Sequence, residues 1–222
     1  MTDLAARKEI TVPRLGQETV KRALDIAVSS MLLIVTIPVL LLLWCLVRST
    51  SAGPAFFRQE RIGQDMRPFV MLKLRTMYAG NDDQAHRAYV TSMLSAKEED
   101  PARKGALFKL VGDPRITPLG AWLRRTSLDE LPQLINVLRG EMSLVGPRPV
   151  LPWEAPLLGE IYRPRFTVKP GMTGLWQVSG RNRLSMRTAL ELDVEYARRR
   201  SVALDLSILA QTVPALFRGG AS

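Results

Sequence analysis

The chain has 222 residues, 46% apolar and 23% charged, which suits one domain with a real core and excludes wholesale disorder. Lysine and arginine outnumber aspartate and glutamate by 31 to 21, so a net charge of +10 favours polyanionic partners: nucleic acid, an anionic membrane face or phosphorylated substrates. One cysteine (Cys45) and one histidine (His86) exclude an internal disulfide framework, a Cys/His zinc site and a Ser–His triad, and the cysteine usage suits a reducing compartment. Chemistry here must rest on carboxylates, hydroxyls, Lys, Arg and an oxygen-bound metal.

Residues 1–20 read as a lead-in punctuated by Pro13 and Gly16. Residues 21–48 follow as a membrane helix. Its stretch 26–47, "IAVSSMLLIVTIPVLLLLWCLV", holds 22 residues without a charge. A straight helix of that length spans about 33 Å, enough for a bilayer. It is too long for a signal peptide, and it has no polar face for a soluble core helix. Two membrane forms remain open, a spanning anchor and a re-entrant helix. Pro38 removes a hydrogen bond in mid-run, and basic residues flank both ends (Lys21 and Arg22 before, Arg48, Arg58 and Arg61 after), which favours a kinked, re-entrant form.

Residues 49–222 form the remaining domain. Within 55–78 a strand pair is expected around the turn Gly63-Gln64-Asp65, with Phe69, Met71, Lys73 and Arg75 on one face and Val70, Leu72 and Leu74 on the other. Residues 80–106 are polar, and a helix with a mobile loop is expected there. From 113 to 185 the chain is dense in Gly, Pro and Arg. Tight turns of that kind hold amides and guanidinium groups together, a common way to build a phosphate pocket. Two helices close the chain. The second carries Leu206, Leu209, Val213 and Leu216 at helical spacing, a stripe suited to the core or to a membrane surface.

Within this region "TSLDELPQL" (126–134) places Asp129 beside Glu130. Ser127 and Glu130 fit a capping box, but that register puts Pro132 inside the helix. A helix beginning at Asp129 keeps Pro132 in the first turn. It aligns Leu131, Leu134, Ile135 and Leu138 as the apolar stripe and ends at Gly140. The two carboxylates then sit at the positive end of the helix dipole, able to attack phosphorus or bind a hard cation. Two adjacent anions facing a phosphate need neutralising partners, with Mg²⁺ and Arg124, Arg125, Arg148 and Arg181 as candidates.

The motifs "KRALDI", "FRQERIGQD…FVMLKLRTM", "RRTSLDELPQLINVLRGEMSLVGPRPV", "KPGMTGLWQVSGRN" and "ELDVEYA" occur in that order from Lys21 to about Phe217. In these the chain resembles the small monotopic phosphoglycosyl transferases, the bacterial sugar transferase family. The resemblance implies a mainly α fold with a small β-hairpin (α+β), an N-terminal re-entrant membrane helix broken at Pro38, and a membrane-associated catalytic domain on the cytoplasmic face of the bacterial inner membrane. It implies transfer of a hexose 1-phosphate from a UDP-sugar to undecaprenyl phosphate, with release of UMP, at the start of exopolysaccharide or glycoconjugate assembly. Asp129 is then the nucleophile of a covalent phosphosugar intermediate. Glu130 helps to hold Mg²⁺ (Mn²⁺ substituting) and accepts the lipid phosphate's proton. Arg124, Arg148, Arg181 and Gln177 are expected at the substrate phosphates and nucleotide. Lys21, Arg22, Asp25 and Arg75 are expected at the membrane face near the lipid phosphate. Inner-membrane lipids, a second copy of the chain and downstream glycosyltransferases are the implied partners; the sequence does not name the sugar, and the tail from Gly171 onward resembles members that start exopolysaccharides with galactose or glucose. One departure is Ile37, where members of the family often carry Ser before the kinking Pro; Thr36 is the nearest hydroxyl.

Two rival readings are a basic, membrane-anchored binding module and a scaffold for a partner enzyme. Nucleic acid is not an expected partner: no recognition helix or aromatic–basic interleaving is visible, and aromatic residues make up only 6%.

Overall fold

A computed structural model of the chain describes residues 15–78, 80, 84–95, 113–180 and 184–218. Helix α1 (Leu15–Thr50) runs for 36 residues, starting earlier than expected, so that residues 15–20 belong to it rather than to a lead-in. It is assigned as one helix with Pro38 inside it. Thr36 donates its hydroxyl to the carbonyl of Leu32 (2.7 Å), one turn back, the usual local bond of a helical threonine.

Only 11% of the most apolar window of α1 is buried within the protein, which separates it from a soluble core helix. Its burial is uneven. Asp25 and Ser29 near one end and Leu43 and Val47 near the other are buried, while Ile34, Val35, Leu41 and Leu42 between them stand mostly exposed. The helix therefore touches the domain at both ends and leaves it in the middle.

Strands β1 (Phe56–Ile62) and β2 (Pro68–Leu74) form the expected antiparallel hairpin, with Phe56 opposite Leu74 and Ile62 opposite Pro68. The turn Gln64–Met66 holds Asp65 and Met66 in the left-handed region. Met71 is buried and Val70 exposed, as the expected alternation has it, but Leu72 is half-buried like Phe69 and Lys73, so the two faces differ only in the first half of the strand. At the strand's end Leu74, Arg75 and Thr76 are all buried, because the chain passes beneath α1 and α3 (Pro118–Thr126) there.

Helix α2 (Gln84–Ser95) is the helix expected after the hairpin; the loop expected beyond it lies outside the described residues. Two three-residue strands, β3 (Ser143–Val145) and β4 (Gly171–Thr173), pair in parallel. Helices α5 (Leu175–Ser179), α6 (Met186–Arg199) and α7 (Val202–Arg218) complete the chain. The main core joins Met71 with Leu134, Val137, Met142, Leu144, Val145, Val168, Tyr196 and Ile208. The expected stripe of α7 is split. Leu209 packs on this core, Leu206 and Val213 are exposed, and the buried residues are Asp205 and Ile208. The side chain of Leu216 lies outside the described residues.

Candidate active site

Helix α3 is capped by Thr117, whose hydroxyl accepts from the Gly120 N–H, and it is followed by Ser127 in the left-handed conformation. The helix expected to begin at Asp129 begins later. Leu128–Glu130 is a single 3-10 turn, Pro132 caps, and α4 spans Gln133–Arg139 before stopping at Gly140. The capping box does not form. Ser127 offers its carbonyl, not its hydroxyl, to the Glu130 N–H (3.2 Å). The buried face of α4 is Gln133, Leu134, Asn136 and Val137 instead of the expected leucine stripe. Asn136 explains the rotation. It accepts from the Leu72 N–H (3.0 Å) and donates to the Val70 carbonyl (2.7 Å), tying α4 to the edge of β2, where an apolar side chain would leave those groups unpaired.

The 3-10 turn is anchored on one side by Leu128, which packs on a cluster of Leu43, Val47, Ala55, Leu74 and Leu123. Asp129 is buried at 6% exposure. Glu130 is more open and receives the Lys73 ammonium at 3.0 Å. Arg124, on the last turn of α3, donates to the Thr76 hydroxyl (2.9 Å). Burial lowers the Arg124 pKa, and the charges of Asp129, Asp113 and Glu130 counter it. Arg61 is buried against the Pro149 carbonyl (3.1 Å) and the Gln59 side chain. Burial, helped by the neighbouring Arg148, pushes its guanidinium down to about 9, with Glu154 and Glu130 opposing. Burial also lowers Arg148, again against Glu154 and Glu130. Lys73 thus pairs with Glu130, the charge of Arg124 acts on both carboxylates, and the charges of Arg61 and Arg148 act on Glu130.

Arg148 is held from behind. Its carbonyl accepts from Arg165 Nη2 (2.6 Å), and the same nitrogen reaches Asp193 Oδ2 (2.6 Å) in an ion pair almost wholly out of solvent. The loop carrying Arg148 leaves β3 through Gly146, where a Cβ would stand 2.3 Å from the Lys169 carbonyl; only glycine lets the two strands approach so closely. Gln177, on α5, leaves its buried Oε1 without a hydrogen-bond partner among the described residues, an acceptor open to a ligand. Arg181 lies outside the described residues.

The residues expected at the membrane face are engaged within the protein. Arg22 donates to the carbonyls of Val137 (2.6 Å) and Leu138 (2.8 Å), closing the end of α4. Lys21 pairs with Asp205 and reaches Tyr196 and the Val145 carbonyl. Asp25 accepts from the Ser143 hydroxyl and the Leu144 N–H, both at 3.1 Å. Arg75 donates to the carbonyls of Val47 and Ser51, at the negative end of α1. These four side chains join α1 to the domain.

The family profile described as bacterial sugar transferase matches residues 16–219. The chain belongs to this family. It is 41% identical over 196 residues to the exopolysaccharide production protein ExoY of Sinorhizobium fredii, covering 88% of this chain and 84% of that protein. It is 38% identical to the UDP-glucose:undecaprenyl-phosphate glucose-1-phosphate transferase of Caulobacter vibrioides, covering 93% and 73%. Against the undecaprenyl-phosphate galactose phosphotransferase of Salmonella typhimurium it is again 38% identical, but the match spans 40% of that longer protein. The chain is thus a sugar transferase of the phosphoglycosyl transferase class, as its motifs implied, and the noncatalytic readings fall away.

Sequence reasoning did not assign Lys73, Arg61, Glu154, Arg165 or Asp193 to this site. The signals were present: Arg61, Lys73 and Asp193 lie inside quoted motifs, and Lys73 has the inward parity of its strand. For a metal, no group of three or more acidic, His or Cys side chains occurs among the described residues. Two adjacent carboxylates fit an ion that takes its remaining oxygens from a diphosphate and water, the ordinary way Mg²⁺ is bound.

Proposed function

We propose that this sugar transferase moves a hexose 1-phosphate from a UDP-sugar to undecaprenyl phosphate through a covalent intermediate on Asp129. The observation that carries this reading is a buried carboxylate, Asp129, under the charge of Arg124, beside Glu130, which pairs with Lys73 and feels the charges of Arg61 and Arg148. An Asp129 oxygen attacks the sugar-bearing phosphorus, the bond to the UMP oxygen breaks, and UMP leaves with that electron pair. The lipid phosphate oxygen then attacks the same phosphorus and frees the carboxylate, with Glu130 accepting the proton. Arg124, Arg148 and Arg181 hold substrate phosphates, and Gln177 offers an acceptor to the nucleotide or sugar. Asp129 and Glu130 would also hold Mg²⁺, whose part is to neutralise the diphosphate charge. The names of the relatives carry both galactose and glucose, and those two sugars are the ones we expect.

The site lies at a membrane surface in this proposal. Both ends of α1 are held by the same domain, through Lys21, Arg22 and Asp25 at one end and Leu43, Val47 and Ser51 at the other. A spanning helix would carry those ends to opposite faces of a ~30 Å hydrocarbon core. Shared anchoring supports entry and return from the cytoplasmic face of the inner membrane, with the exposed middle around Pro38 in lipid. Single-cysteine variants near residues 5 and 95, with Cys45 removed, should both resist an impermeant thiol reagent in intact cells. External labelling at residue 5 alone would establish a spanning helix.

The chemical test is Asp129→Asn. The variant should fold and lose turnover by several orders of magnitude, since an amide cannot form the acyl phosphate. Wild-type protein given UDP-sugar without lipid should release UMP in proportion to enzyme and gain the mass of a hexose phosphate. UMP release near the wild-type rate from the Asn variant would remove Asp129 from the mechanism.

A further inference from the structure

At the foot of α1, where the apolar run gives way to the domain, lies an open groove of about 610 Å³ lined by Trp44, Arg48, Pro54, Phe56, Phe57 and Arg58. The three aromatic side chains are exposed, as are Leu41 and Leu42 in the turn before. Arg48 gives one hydrogen bond to the Gly53 carbonyl (2.9 Å), and neither Arg48 nor Arg58 forms an ion pair among the described residues. The phosphate-transfer residues make no use of this place. Ala55 forms its floor and packs with Leu43, Val47, Leu74 and Leu123, the cluster whose other side carries Leu128 and the Asp129 turn.

We propose that this groove holds the headgroup of an anionic phospholipid of the surrounding bilayer, its phosphate between Arg48 and Arg58 and its acyl chains along Trp44 and Leu41. Charge and shape both select that occupant. Two guanidinium groups that form no ion pair among the described residues suit one phosphate. Trp and Phe beside them have the composition of a membrane–water boundary. A soluble nucleotide would leave the apolar wall running into α1 uncovered. The lipid would brace the cluster that supports the catalytic turn from outside, so its presence should favour activity. The inference rests on the membrane reading of α1, and its test separates the two.

The full chain is reconstituted in phosphatidylcholine vesicles containing brominated phosphatidylglycerol or brominated phosphatidylcholine. Tryptophan quenching is read for the wild type and for Trp44→Phe, so that the difference reports Trp44. Quenching of Trp44 should favour phosphatidylglycerol. In Arg48→Gln/Arg58→Gln that preference should fall roughly thirty-fold, from ~1 kcal/mol per arginine at an anionic surface. The control Arg67→Gln/Arg139→Gln, on exposed arginines elsewhere, should keep it. Uridine monophosphate release in detergent should persist in the double variant, which checks its fold. If it does not, the single exposed variant Arg58→Gln should show a loss of roughly fivefold in the same preference. Equal quenching by both lipids, an equal loss in the control, or displacement by inorganic phosphate overturns the proposal. Displacement by undecaprenyl phosphate also overturns it and gives the groove to the acceptor lipid. A chain that fails to bind either vesicle overturns the membrane reading itself.

Discussion

Replacing Asp193 by Asn tests whether the Arg165–Asp193 pair serves the site or only the fold. Both side chains are nearly solvent-free, and Arg165 has Asp193 Oδ2 and the Arg148 carbonyl as its partners, each at 2.6 Å. Removing the anion leaves a buried guanidinium without a counter-charge, which costs about 3–5 kcal/mol. For a chain of this size each kcal/mol moves the melting temperature by ~2–4 °C, so a fall of roughly 6–20 °C is expected in thermal unfolding in detergent. The double variant Arg165→Met/Asp193→Leu removes both charges, and a buried pair replaced in this way is often neutral or better for stability. Its melting temperature should therefore return close to that of the wild type. Its activity should not. The Arg148 carbonyl loses its donor, so the side chain above it loses its fixed position. Charge-assisted bonds of this kind contribute about 1.5–3 kcal/mol, so kcat/KM for UMP release should fall roughly tenfold to a hundredfold. Recovery of activity together with stability would refute the positioning argument and leave the pair a purely structural one.

Gly120→Ala should be strongly destabilising, because its Cβ would stand 2.0 Å from the Thr76 carbonyl oxygen, and α3 would have to move with Arg124; a melting temperature within a degree or two of the wild type would contradict that packing. Burial holds the Asp205 carboxyl above the ordinary carboxylate value although Lys21 pulls it down. The folded chain therefore binds that proton more tightly than the unfolded chain, and stability should fall as pH rises from the ordinary value through the raised one. Melting curves across that interval should show the wild type losing ground to Asp205→Asn; a wild type that gains on the variant would reverse the sign. Chelation by EDTA should abolish UMP release and added Mg²⁺ or Mn²⁺ should restore it, whereas full activity in chelator would leave Asp129 and Glu130 with no metal to hold.

The sequence by itself determined the class of the protein and the chemistry open to it. One cysteine and one histidine left carboxylates and arginines, and five ordered motifs identified the family. Local signals also sufficed for the hairpin, the long apolar helix and the two final helices, because an alternating strand, an uncharged run and an amphipathic helix depend on near neighbours. The turn at Asp129 needed more. Its register is set by Asn136 reaching β2 and by Leu128 reaching α1, contacts across 64 and more residues that no local periodicity records. The parallel pairing of β3 with β4 joins two three-residue strands too short to show a pattern. Only the tertiary structure decided what each basic residue does, since a cation in a sequence carries no mark of its partner. Lys21, Arg22 and Arg75 fasten the long apolar helix to carbonyls and a buried acid, while Lys73 pairs with Glu130 and the charges of Arg61 and Arg148 act on it from distant segments.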